Sequence, residues 1–142
     1  MFYNHFRCGP SSSFHPIHRY NIGTGFQIVD DILDFTGEQA TVGKPVGSDL
    51  RQGLITLPTL CYLEANPDTP LAQPIRNGKC QESREQLDRL VEEIRHSPAI
   101  EAAMAEARQY IQKGLDLLSE LPDSPEVKAL EELARYIVQR EI

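Results

Sequence analysis

From Glu82 to the C-terminus, apolar residues recur at every third or fourth position, and a Ser-Pro pair twice resets the count. Leu87, Leu90, Val91 and Ile94 form one stripe between Glu82 and His96, with charged residues on the other face. Ser97-Pro98 then supplies a hydroxyl suited to an N-cap and a proline at the first helical position, where a missing N–H does no harm. Ile100, Met104, Ala107, Ile111, Leu115 and Leu118 predict a helix from there to about Leu121, which Pro122 ends. Ser124-Pro125 repeats the start for a last helix bearing Val127, Leu130, Ala134 and Ile137. No segment alternates as a half-buried strand does and no internal repeat is present, so the fold class is all-α. The stripes of these later helices read as core and their charges as solvated faces, with His96 at a helix end, where a cation is mildly favoured.

The first half is punctuated differently. Asn66-Pro67-Asp68-Thr69-Pro70 breaks the chain, and Thr56 with Pro58 opens a helix that continues to about Ala65. Residues 37–48 hold three glycines and a proline and predict a loop, with Ser48 or Asp49 capping a short turn. Residues 1–20 contain no acidic residue and show no helical period, and they read as a disordered or unrelated leader. Their functional alternative is a small metal site built from His5, Cys8, His15 and His18, without the tight paired spacing usual for zinc.

Chemistry concentrates in Phe26-Gln27-Ile28-Val29-Asp30-Asp31-Ile32-Leu33-Asp34-Phe35, closed by Gly37. Ile22, Phe26, Val29 and Leu33 fall on one helical stripe, and Gln27, Asp30, Asp31 and Asp34 share an adjoining face. Three carboxylates near a helix C-terminus meet the negative end of the dipole, a conflict that a bound cation resolves. Carboxylates without His or Cys partners suit a hard ion such as magnesium, which keeps several waters and divides its coordination between a few carboxylates and phosphate oxygens. The bland reading of the same residues is a solvated acidic face.

Composition narrows the remaining classes. The 142 residues are enough for one domain, with 40% hydrophobic and 25% charged residues, ordinary for a globular chain. A formal charge of -7 argues against general nucleic-acid binding, which relies on clustered Lys and Arg. No apolar run approaches a membrane span and the N-terminus lacks a signal-peptide core, so a cytoplasmic location is expected. Cys8, Cys61 and Cys80 are odd in number and unpaired in spacing, which favours reduced thiols.

Taken in order, FQIVDDILDF, GKPVGSDLRQG and TLPTL resemble the second aspartate-rich region of the trans-type polyprenyl diphosphate synthases. Gly23 ahead of the acidic helix fits as well, and milder similarity runs to Arg140, so the resemblance covers residues 21–142. It implies the C-terminal part of an isoprenoid-synthase-type helical bundle. Members of that family join isopentenyl diphosphate to an allylic diphosphate, using magnesium held between two aspartate-rich motifs. By position, the resemblance implies that Asp30, Asp31 and Asp34 bind magnesium, and that Lys44 reaches the allylic diphosphate. Phe26 and Gln27 would line the reacting prenyl chain. Where the family often carries a second lysine before the Thr-Leu-Pro step, this chain has Leu54. The first aspartate-rich motif and the basic residues that grip isopentenyl diphosphate lie upstream in the family and have no counterpart in residues 1–20. The expectation is therefore a prenyltransferase fragment inactive by itself, self-associating or docked on a full-length synthase subunit. The alternatives are a non-catalytic helical partner of a complete synthase and an acidic bundle without a ligand.

Overall fold

The computed structural model describes residues 15–37 and 45–139, with side chains from Tyr20 onward. Among them every regular element is helical: α1 (His15–Thr36), α2 (Ser48–Arg51), α3 (Leu57–Ala65), α4 (Gln73–Arg76), α5 (Arg84–Arg95), α6 (Ala99–Leu118) and α7 (Pro125–Gln139), with single 3-10 turns at Pro70–Ala72 and Cys80–Glu82. The all-α expectation holds. No helix of the described residues is long and apolar enough to cross a membrane.

The punctuation read from the sequence acts as it should. The Ser97 hydroxyl accepts the Ala99 N–H at 3.2 Å, and the Ser124 hydroxyl accepts that of Val127 at 3.2 Å, so both Ser-Pro pairs satisfy otherwise orphaned donors at helix starts. Thr56 precedes α3 in an extended conformation, with Pro58 in its first turn. α6 stops at Leu118, earlier than the expected Leu121, where the Ser119 hydroxyl turns back onto the Asp116 carbonyl at 2.6 Å. α1 begins at His15, inside the segment whose pattern showed no helical period. Its Pro16 lies in the first turn, where proline is tolerated.

α1 is the element on which two cores meet. Ile22, Ile28, Val29 and Ile32 pack with Ala103, Met104, Ala107 and Ile111 of α6 and with Ala134 and Ile137 of α7. One turn on, Phe35 enters a second core with Leu50 of α2, Tyr62 of α3 and Leu87, Leu90, Val91 and Ile94 of α5. The α1–α6 crossing is close because each helix puts a glycine opposite an isoleucine of the other. A Cβ on Gly25 would lie 2.5 Å from Ile111 Cδ1, and one on Gly114 would lie 2.5 Å from Ile22 Cγ1. Two glycines within helices weaken them by about 1 kcal/mol each relative to alanine, and the close packing offsets that cost.

This contact corrects the expected stripe of α1. The helix is rotated so that Gly25, Ile28, Ile32 and Phe35 join Ile22 and Val29 inside, while Phe26 stays 48% exposed and Leu33 is only partly buried, at the border of the acidic face. A similar correction applies to α7. Ala134 and Ile137 are buried as expected, but Leu130 is 41% exposed and shares an outward side with Leu133 and Tyr136.

Candidate functional site

The last three turns of α1 place Gln27, Asp30, Asp31 and Asp34 on one face, as their spacing predicts. The helix stops when the Gly37 N–H bonds the Leu33 carbonyl at 2.7 Å. Within this face the three aspartates differ. Asp30 is exposed. Asp31 is partly buried and accepts a hydrogen bond from Gln27 Nε2 at 3.2 Å. Burial pushes the Asp31 carboxyl up to about 6; the Gln27 bond pulls the other way, and the neighbouring charges of Asp49, Asp30 and Asp34 add to the rise.

Asp34 is engaged on both oxygens. Oδ1 accepts the Ser48 hydroxyl at 2.9 Å and Oδ2 accepts the Asp49 N–H at 3.2 Å, while the Asp34 main-chain carbonyl accepts the Gly47 N–H at 2.8 Å. The carboxylate therefore fastens the far end of the loop to α1, with lone pairs left over, since an ionised carboxylate offers about four acceptor positions. The chain enters α2 through Gly47, whose φ of 71° is a left-handed conformation that only glycine adopts freely.

Ser48 does not cap α2, which has no side-chain cap; its hydroxyl serves Asp34 instead. Asp49, read from sequence as a capping residue, adds a fourth negative charge to the face. Neither role is visible in local pattern, because the partners lie fourteen and fifteen residues apart. Gln27 is exposed on the acidic face and Phe26 beside it, and Leu54 is 45% exposed, its N–H on the Asp49 carbonyl at 2.9 Å. Lys44 and Arg140 lie outside the described residues, as do the side chains of His5, Cys8, His15 and His18. Among the described residues Cys61 and Cys80 are unpaired; burial and then Glu106 and Glu64 push the Cys61 thiol up.

Among the described residues no group of three or more His, Cys, Asp or Glu is gathered tightly enough to enclose a metal ion by itself. The face is instead an open half-shell of carboxylates, and its donor atoms are all oxygen.

The polyprenyl synthetase family model matches residues 12–94. "Heptaprenyl diphosphate synthase component 2" of Bacillus subtilis is 42% identical over 121 residues, covering 85% of this chain and 34% of its own length. "Decaprenyl-diphosphate synthase subunit 1" of Schizosaccharomyces pombe is 41% identical over 119 residues, 84% of this chain and 30% of its own. Among solved structures, heptaprenyl diphosphate synthase from Staphylococcus aureus superposes with a TM-score of 0.78 at 39% identity, over 87% of this chain and 38% of that one. A polyprenyl synthase from Caulobacter crescentus, complexed with calcium and isoprenyl diphosphate, gives a TM-score of 0.71 at 33% identity, over 87% of this chain and 38% of that one. The chain spans about a third of the length of the curated relatives it matches.

Proposed function

The chain belongs to the polyprenyl synthetase family, and we propose that it carries the diphosphate-holding part of a prenyltransferase that condenses isopentenyl diphosphate with an allylic diphosphate. The observation that carries this reading is the half-shell on α1: Asp30 and Asp31 open to a ligand, with Asp34 fastening the loop end beside them. The donor set fits magnesium in kind, being all carboxylate oxygen with no His or Cys among it. Asp31 supports the fit further, since a carboxyl pushed up to about 6 by burial and by like charges is one whose charged form gains from a nearby cation. Magnesium, when bound, supplies the positive charge that lets diphosphate depart from an allylic carbon.

The chain's own residues do the rest of the work in this reading. Asp30 and Asp31 would hold the ion, and Gln27 holds Asp31 in its rotamer through the 3.2 Å bond. Asp34 contributes through its spare lone pairs and keeps α2 docked. Lys44 sets a cation against the diphosphate, and Phe26 offers an apolar ring to the first part of the prenyl chain while excluding water from the reacting carbon. Prenyl transfer by the isolated chain is not expected, because the groups that grip isopentenyl diphosphate have no counterpart here. We place the chain in the cytoplasm, where free thiols at Cys61 and Cys80 are stable.

A second reading is a helical partner docked on a complete synthase subunit. The naming of relatives as a "component" and a "subunit", together with the exposed Leu130, Leu133 and Tyr136 of α7, supports it. Isothermal titration with magnesium and a short allylic diphosphate tests the primary reading. Saturable, metal-dependent binding that is lost on chelation is expected, and its absence in folded protein would sink it.

A further inference from the structure

We infer that Arg51 is a positioning residue for the acidic face, acting through the short segment that Asp34 grips from the other side. α2 has four residues, too few to hold a helical conformation by itself, so its placement depends on what fastens it. Leu50 anchors it in the second core at 0% exposure and Ser48 is buried with it, but a helix this short has little apolar surface to fix its rotation.

Rotation is fixed by two latches. Toward α1, Asp34 takes the Gly47 and Asp49 N–H groups and the Ser48 hydroxyl. Toward α5, the Arg51 Nε donates to the Val46 carbonyl at 3.0 Å, while its guanidinium pairs with Asp88. The planar guanidinium suits this double task, since it presents donors in a fixed fork to a carbonyl and a carboxylate together. Between the latches Gly47 lies against Val91, so close that a Cβ there would sit 2.5 Å from Val91 Cγ2. The segment is thus clamped between α1 and α5, and Asp49 is carried on it beside Asp31.

Arg51 makes its side-chain bonds to Val46 and Asp88, away from the α1 carboxylates. Its removal frees residues 46–49 to swing away from α5, loads the whole segment on Asp34 and loosens the geometry of the half-shell. The ligand-binding half of this inference rests on the diphosphate reading above.

Three variants of the full chain test it: Arg51→Leu, Arg51→Lys and Asp88→Asn. The first readout is amide hydrogen exchange at Gly47 and Asp49, whose N–H groups bond Asp34, with Ala107 and Ile111 in α6 as internal reference. The second is affinity for inorganic pyrophosphate with magnesium. Arg51→Leu should speed exchange at Gly47 and Asp49 about tenfold, leave α6 unchanged and weaken pyrophosphate binding about three- to tenfold, as expected for losing one or two partly shielded hydrogen bonds. Arg51→Lys keeps a cation opposite Asp88 but cannot serve the Val46 carbonyl at the same time, so exchange should stay fast while thermal stability recovers. Asp88→Asn, at an exposed carboxylate, should give a smaller acceleration at the same two amides and keeps the test decisive if Arg51→Leu does not fold.

Unchanged exchange at Gly47 and Asp49 overturns the latch. Acceleration spread equally into α6, with affinity falling only in step with stability, overturns the positioning role in favour of a general structural one. Faster exchange with unaltered pyrophosphate affinity overturns it too. Failure of the wild-type chain to bind pyrophosphate sinks the diphosphate reading, is read before any variant is made, and leaves the exchange rates to judge the latch by themselves.

Discussion

Asp31 and Asp34 sit three residues apart on the same helix face, yet their surroundings ask different things of them. Asp34 has a hydroxyl and a backbone N–H in hydrogen-bond contact, whereas Asp31 has only the Gln27 amide against its burial and three carboxylate neighbours. Replacing Asp30 or Asp31 by alanine should therefore weaken magnesium-dependent diphosphate binding by about 10- to 100-fold, on the scale seen when groups around a bound metal are lost, with the fold intact. Titration calorimetry reads it, and unaltered affinity in both variants removes the metal assignment. The raised carboxyl also gives Asp31 a pH signature with a defined sign. Its folded value of about 6 exceeds the unfolded 3.8, so between those values the folded state binds the proton more tightly. Its contribution to stability is present in full below pH 3.8 and is lost as pH rises through about 6. Without metal, wild-type protein should lose melting temperature relative to Asp31→Asn as pH rises from 4 to 7, and saturating magnesium should abolish the difference. Thermal melts of both proteins across that range check it; parallel curves would mean that Asp31 titrates normally.

Elements show where the sequence was legible and where it was not. The Ser97-Pro98 and Ser124-Pro125 starts, Thr56-Pro58, the α5 stripe and the acidic face were readable because each depends on neighbours within one or two turns. The rotation of α1 was not readable. It depends on Gly25 and Gly114, which meet residues on another helix far along the chain, and glycine looks like a weak spot in any local scale. The Asp34–Ser48 bond and the bridge from Arg51 to Asp88 were hidden for the same reason. The glycine crossing makes its own prediction. Gly25→Ala gains helix propensity of about 1 kcal/mol, yet its Cβ would meet Ile111 and come within 3.1 Å of the Ala107 carbonyl oxygen, which cannot move without α6. Overpacking of this kind costs about 1–3 kcal/mol, so Gly25→Ala should be net destabilising in urea titrations. Ile111→Ala opens space at the same spot, so the double variant should be more stable than the sum of the two single effects implies. Strict additivity would mean that the close crossing is not what Gly25 serves.

At the scale of the whole molecule, the described helices carry apolar residues that the structure leaves in solvent: Tyr20 and Phe26 on α1, Leu60 on α3, and Leu130, Leu133 and Tyr136 on α7. The chain spans 38% of the Staphylococcus aureus synthase that it superposes on, so most of that helical molecule has no equivalent here. On the function proposed above the carboxylate face holds a metal and a diphosphate, but ionising an allylic diphosphate while a second substrate waits in line requires cations and donors on more than one side of the reacting carbon. Purified chain incubated with magnesium, a short allylic primer and radiolabelled isopentenyl diphosphate should therefore yield no extended product, even at concentrations where metal-dependent binding is saturated. The exposed stripes should meanwhile drive self-association as concentration rises, because apolar surface removed from water contributes roughly 25 cal/mol per Å². Sedimentation at two concentrations, with and without Leu133→Glu on α7, reads that step: the variant should remain the smaller species while its diphosphate binding is untouched. Elongation by wild-type chain that disappears in Leu133→Glu would refute the prediction and show that association completes the active site; elongation that survives in the variant would show that one copy of the chain holds every group the reaction needs.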